Sequence, residues 1–237
     1  MHFREQNRKK AVTFSYDDGV VQDIHLIELL NRYGLKATFN LNSAMLGQGG
    51  ILQREGQRIA HYKIRPEDVK YVYEQHEVAA HTLTHPNLTR LDEEEVVREA
   101  EEDRLRLSEL VGYEVVGLAY PAAGSGPNFD ERVAEILRRR TGIRYGRTTV
   151  NTDSFAPQTD LFRFRPNVYH IMEPDRLMAM GRRFLEEPAD TPQILYIWGH
   201  AYEMDYAPDR WVKLEEFFRL IAGRDDIFYG TNAEVLL

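Results

Sequence analysis

Three short stretches carry side chains whose types and spacing could do chemistry. TFSYDDG (13–19) runs from β-like residues into two adjacent carboxylates, Asp17 and Asp18. Like charges side by side repel unless a cation or a proton relieves them, so the pair fits a metal or a shifted pKa; it also fits a helix start, with a capping acid and an acid in the first turn. HTLTHP (81–86) sets His81 and His85 four apart, a spacing that can present two imidazoles to one ion. Pro86 disfavours helical geometry at His85, so a loop is expected. Chance surface histidines are the alternative in a chain that has 8. In YIWGHAYEMD (196–205) His200 follows an apolar run, where an imidazole serves as general acid or base or is simply structural. Its flanks, Trp198, Tyr202, Glu203 and Asp205, suit the wall of a sugar-sized or amide-sized pocket, or a core.

These groups need a scaffold that brings them together. Short apolar runs at 10–16, 36–41, 77–82, 115–120, 143–148, 162–165, 194–199 and 226–231 read as strands buried on both faces. Between them lie helical patterns. Ile24, Ile27 and Leu30 share a spacing closed by Gly34, and Asp92 with Glu95 forms a capping box ahead of Val96, Ala100, Leu107 and Val111. Asn128 with Glu131 repeats that device, Pro66 and Pro174 suit first turns, and Trp211, Leu214, Phe218 and Ile221 form a last stripe. Residues 43–64 are the least regular and read as a loop or hairpin excursion beside the second strand. Alternating strands and helices imply parallel pairing, with active groups at the carboxyl ends of the strands. A barrel or part-barrel is expected first; a doubly wound open sheet comes second, weakened by the lack of a GxGxxG or GxxxxGK[ST] turn. On that rim Asp17 or Asp18, His81 and His85 can converge on one ion and leave positions for water and substrate, as in a catalytic zinc site.

Composition narrows the classes. The 237 residues, 43 % apolar and 29 % charged, fit one globular domain spanning 1–237. A formal charge of −8 argues against a nucleic-acid partner. The chain has no cysteine, which excludes disulfides, thiolate metal sites and a cysteine nucleophile. No leader-type apolar stretch follows the charged start and no apolar run reaches membrane length, so a cytoplasmic protein without membrane contact is expected. Oligomeric state is left open.

SYDDG, HTLTHP, AYP (119–121) and a late histidine after an apolar strand, in this order, resemble the polysaccharide deacetylases of the NodB-homology type, carbohydrate esterase family 4. The resemblance covers roughly residues 10–202. It implies a distorted (β/α) barrel of about seven parallel strands. It also implies a metal-dependent hydrolase of a non-peptide C–N bond that deacetylates an N-acetylated sugar or a related small amide. Asp17 would be the general base, Asp18, His81 and His85 the ligands of a divalent ion, most plausibly Zn²⁺, and His200 the general acid. The third motif implies an oxyanion donor at the N–H of Ala122, with Tyr120 beside it. Departures from the family pattern raise further expectations. The arginine expected two residues before Pro121 is Ala119, so Arg163 or Arg165 of FRFRP is proposed as the missing cation. Ala122 and Ala123 replace an aromatic residue and a glycine; Asp153 is a positional guess for the acid that tunes His200; and Trp198 replaces a leucine of the acyl pocket. The alternatives are a hydrolase of a cyclic amide or ureido metabolite on this fold, and a non-catalytic carbohydrate-binding protein with a degenerate site.

Overall fold

The computed structural model describes residues 8–54, 56–122, 124–170 and 174–237. Strands β1 (Lys10–Asp17), β2 (Ala37–Leu41), β3 (Gly49–Arg54), β4 (Gln57–Tyr62), β5 (Glu77–Ala80), β6 (Gly117–Ala119), β7 (Tyr145–Arg147), β8 (Val168–Tyr169), β9 (Gln193–Gly199) and β10 (Ile227–Tyr229) alternate with helices. The helices are α1 (Asp23–Arg32), α2 (Val69–Val72), α3 (Glu93–Val97), α4 (Asp103–Val111), α5 (Glu131–Arg140), α6 (Pro174–Glu186), α7 (Arg210–Ile221) and α8 (Asn232–Leu236). Seven parallel strands run in the order β7-β6-β5-β2-β1-β9-β8, and β10 pairs with the first residues of β1. The distorted (β/α) barrel expected from the sequence is the fold observed.

Closure comes from one segment. Phe164 forms a parallel bridge with Arg147 at the β7 edge, while Asn167 N donates to Tyr196 O at 2.8 Å and β8 pairs with β9. The run 164–169 therefore zips the two edges of the sheet together. This corrects the expected strand at 162–165. Leu161–Arg163 is a 3₁₀ turn, opened by the Asp160 side chain accepting from Phe162 N, and Pro166 has no N–H to extend a ladder.

Alternation along β1 explains what faces where. Val12, Phe14 and Tyr16 join the large apolar core under the helices, whereas Ala11 packs with Tyr145, Phe164, Tyr196 and Val235 in a second cluster. Asp17 shares the Ala11 face by period 2, so the last inward position of β1 at its carboxyl end is acidic. Within the stretch 43–64, Gly49–Arg54 and Gln57–Tyr62 pair as the antiparallel β3–β4 hairpin, after a 3₁₀ turn at Ser43–Met45.

The Asp92 capping box is present, and Val96, Ala100, Leu107 and Val111 are all buried. Two local expectations fail. The N-cap of α5 is Asp130, accepting from Val133 N at 2.7 Å, because Asn128 instead donates to the carbonyls of Tyr120 and Pro121. Ile24 is exposed; α1 buries Leu26, Ile27, Leu29 and Leu30. Among the described residues no helix is long and apolar enough to cross a membrane.

Candidate active site

Four strand ends supply the rim. Asp17 closes β1 and is buried; its Oδ1 accepts from Asn40 Nδ2 at 2.8 Å, Asn40 being its register partner on β2. Arg147, the last residue of β7 and fully buried, places Nη2 2.6 Å from Oδ1 and 2.5 Å from Oδ2. Burial alone would raise the Asp17 pKa, but Arg147, then His81 and His200, bring it below the ordinary value. Oδ2 faces His81 Nε2 at 4.0 Å and His200 Nε2 at 3.9 Å.

Asp18 turns the chain with φ +84°, and Gly19 follows at +62°, where a Cβ would meet Leu41 Cδ2 at 2.5 Å. Thr82 (+67°) and His85 (+62°) are also left-handed, so among the described residues the non-glycine residues of this conformation sit on the two motif loops, at about 1–3 kcal/mol each. One atom each from Asp18, His81 and His85 lie within 4.8 Å of one another, and among the described residues no other acid–histidine group converges in this way. His81 Nδ1 lies 2.8 Å from Ala119 O. A carbonyl only accepts, so Nδ1 carries the proton and Nε2 keeps its lone pair. Burial lowers the pKa of His81 to about 3 and lowers that of His85, which keeps both imidazoles neutral, the form that ligates. Burial would raise the Asp18 pKa, but the His61 hydrogen bond and Lys63 hold it well below the carboxylate range.

The histidine loop is clasped from behind. Asp103 accepts from Ser43 N at 2.7 Å and His81 N at 3.0 Å, and Glu99 from Thr84 N and Oγ1, both at 2.9 Å. A π-helical turn, Arg98–Glu102, separates α3 from α4; it carries Glu99, and Asp103 directly follows it.

His200 stands just past β9. Its Nδ1 lies 3.1 Å from Glu203 Oε2 and 3.0 Å from the Tyr169 hydroxyl, which itself donates to Glu203. Burial alone would lower the His200 pKa; Glu203, then Asp17 and Asp18, raise it to about 9. Trp198 stacks on Tyr169 at 4.4 Å, lies 4.5 Å under the Arg147 guanidinium, and donates from Nε1 to Asn151 at 2.9 Å.

Other expectations are corrected. Arg163 is half-buried and pairs with Asp160 and Glu131, and Arg165 donates to the backbone of Val150 and Asn151, so neither reaches Asp17. Asp153 pairs with Arg176 at the surface, far in role from His200, whose carboxylate partner is Glu203. Tyr120 is buried and its hydroxyl donates to Phe162 O, which makes it a packing residue. Ala122 is exposed just after Pro121, and Ala123 lies outside the described residues. Sequence reading missed Arg147, Asn40, Tyr169, His61, Lys63, Glu99 and Asp103.

The sequence profile of the polysaccharide deacetylases matches residues 4–145, more than half of the chain. The chain belongs to the polysaccharide deacetylase family. No curated protein matches the sequence. Among solved structures, this deacetylase-family chain is similar to a putative polysaccharide deacetylase from Mycobacterium smegmatis, with TM-score 0.62, 15% identity, and coverage of 97% of this chain and 89% of that one. It is also similar to a family 4 carbohydrate esterase from Streptomyces lividans, determined with acetate, with TM-score 0.57, 15% identity, and coverage of 94% and 92%. It spans about half the length of two further deacetylase chains, 55% of one from Streptococcus pyogenes and 45% of one from Bacillus cereus.

Proposed function

We propose that this deacetylase-family chain is a metal-dependent hydrolase of a non-peptide C–N bond, acting on an N-acetylated sugar or a related small amide. The observation that carries the reading is the convergence of an ionised base, Asp17, and a charged imidazole, His200, 3.9 Å apart beside the Asp18, His81 and His85 donors. Those three donors fit a divalent ion such as Zn²⁺: one carboxylate oxygen and two neutral imidazoles, with the proton of His81 spent on Ala119. Bound there, such an ion supplies Lewis acidity to the substrate carbonyl and acidifies water.

The chain's own groups do the proton transfers. Asp17 takes the proton of the attacking water through Oδ2, the oxygen that faces His81 and His200, while Oδ1 is held by Asn40 and Arg147 reaches both oxygens. Arg147 keeps that carboxylate ionised and fixed. His200, charged at neutral pH with Nδ1 held by Glu203, presents Nε2 to protonate the departing nitrogen. The N–H of Ala122 is assigned to the oxyanion. Two neighbouring acids thus hold different jobs because each has its own cation.

One observation favours a small amide, including a cyclic amide or ureido compound, over a polymer. The β3–β4 hairpin stands against the 3₁₀ turn Ala201–Tyr206, with His61 on Tyr202 at 4.6 Å and Gln22 bridging Ala60 O and Asp205 at 2.7 and 2.8 Å. That contact walls one side of Asp18. The non-catalytic alternative drew its support from the missing arginine; a guanidinium on Asp17 from β7 supports the catalytic reading instead. The test is turnover of N-acetylated sugars, acetate esters and cyclic amides by chelator-stripped and zinc-loaded protein. Activity that vanishes on stripping and returns with zinc is expected; equal activity in both states contradicts the reading.

A further inference from the structure

The Asp18 carboxylate, which the proposed reading gives to an ion, is already occupied by two other groups. Lys63 Nζ lies 3.0 Å from Oδ1, and His61 Nε2 lies 3.4 Å from Oδ2. Oδ1 is also the oxygen nearest His85 Nε2, at 3.9 Å. The ammonium and the ion therefore address the same oxygen.

Lys63 is not a surface side chain that happens to reach inward. Its side chain is 3 % exposed, and it also donates to Asn42 Oδ1 at 3.5 Å. Its backbone is fixed to the DDG turn: Val20 and Lys63 form an antiparallel bridge, Ile64 N donates to Gly19 O at 2.8 Å, and Val21 N donates to Tyr62 O at 2.9 Å. The return strand of the hairpin thus delivers a cation to the ligand carboxylate. Asp17 with Arg147 and Asp18 with Lys63 make two closed, charge-matched pairs before any ion arrives.

We propose that Lys63 is a built-in rival of the metal ion, which must displace the Lys63 ammonium from Asp18 and so binds more weakly and exchangeably than the Asp-His-His set alone would hold it. The inference rests on Asp18, His81 and His85 being the metal ligands. Displacement leaves a buried ammonium next to a divalent charge, and both the lost pairing and the new repulsion oppose binding. Removing the charge while keeping the chain length removes both.

Zinc affinity is measured by calorimetry or chelator competition for wild type, Lys63→Met, Lys63→Gln and His85→Ala. The two Lys63 variants are expected to bind zinc about tenfold more tightly or better, and their melting temperature is expected to rise more on zinc addition than that of wild type. Lys63→Gln keeps a hydrogen-bond donor for Asp18 should Lys63→Met fold poorly. A variant that folds only with zinc is compared by its rate of zinc loss to a chelator, slower release than wild type being the supporting result. Unchanged or weaker affinity, or equal or faster release, overturns the proposal. His85→Ala separates the two layers: zinc binding that is indifferent to it defeats the ligand assignment itself, whatever Lys63 does.

Discussion

Arg147 and Asp17, 130 residues apart in sequence, meet inside the barrel with one guanidinium nitrogen 2.6 and 2.5 Å from the two carboxylate oxygens. The two come from the carboxyl ends of β7 and β1 and are buried together. The pairing keeps ionised a carboxylate that burial would otherwise protonate.

Replacing Arg147 by Met leaves that carboxylate buried without its cation, at a cost of about 3–5 kcal/mol in denaturant unfolding. The Asp17 pKa rises, so the acidic limb of the pH–rate profile moves up. Asp17 is depressed in the folded state; its stabilisation is therefore present above the ordinary carboxylate range and lost as pH falls through the depressed value. An unchanged acidic limb in Arg147→Met contradicts this role.

Glu203→Gln keeps an acceptor for His200 Nδ1 and removes its charge. With the His200 pKa raised to about 9, the wild-type rate declines as pH rises through that value. Burial then dominates in the variant, and the alkaline limb falls toward or below about 6.5. The same raised pKa stabilises the fold fully below the unfolded value and ceases to do so above about 9. Profiles of kcat and of unfolding against pH read both; an alkaline limb that stays put in Glu203→Gln removes Glu203 from the assignment.

Asp103→Ala strips the acceptor from His81 N and Ser43 N without touching a donor atom of the metal group. Zinc affinity is expected to fall about 10–100-fold, the usual range for groups that orient ligands. Calorimetric titration checks it, and wild-type affinity in the variant contradicts the clasp.

Gly199 has no room for a side chain. A Cβ there, one residue before His200, would stand 2.0 Å from His170 Cδ2 and Nε2. Gly199→Ala is expected to cost about 1–3 kcal/mol through forced repacking, with kcat falling more than KM rises. Wild-type stability shows that the imidazole yields freely.

Much of this was legible in the chain. Short apolar runs and helical patterns, the DDG and HTLTHP spacings and the capping box at Asp92 are local, and each gives its answer within a few residues. Arg147 was not, because an arginine can reach a carboxylate from any strand end and only closure of the barrel decides which one does. The FRFR run misled for the same reason: its alternation suggests a strand, but Pro166 and the Asp160 cap convert most of it to a turn and leave Phe164 alone to join the edges. Lys63 and His61 lay in the stretch with the weakest pattern. Hairpin register, which composition does not reveal, places them on Asp18.

The proposed chemistry requires Asp17 to act as base beside, rather than on, the metal. The most direct measurement is Asp17→Asn, loaded with zinc, against loaded wild type on a responsive acetylated or cyclic amide, with bound zinc counted in both. The amide keeps the Arg147 and Asn40 environment but accepts no proton, so kcat is expected to drop about a hundredfold or more with zinc stoichiometry unchanged. Equal turnover in the two proteins, or loss of zinc from the variant, would contradict it.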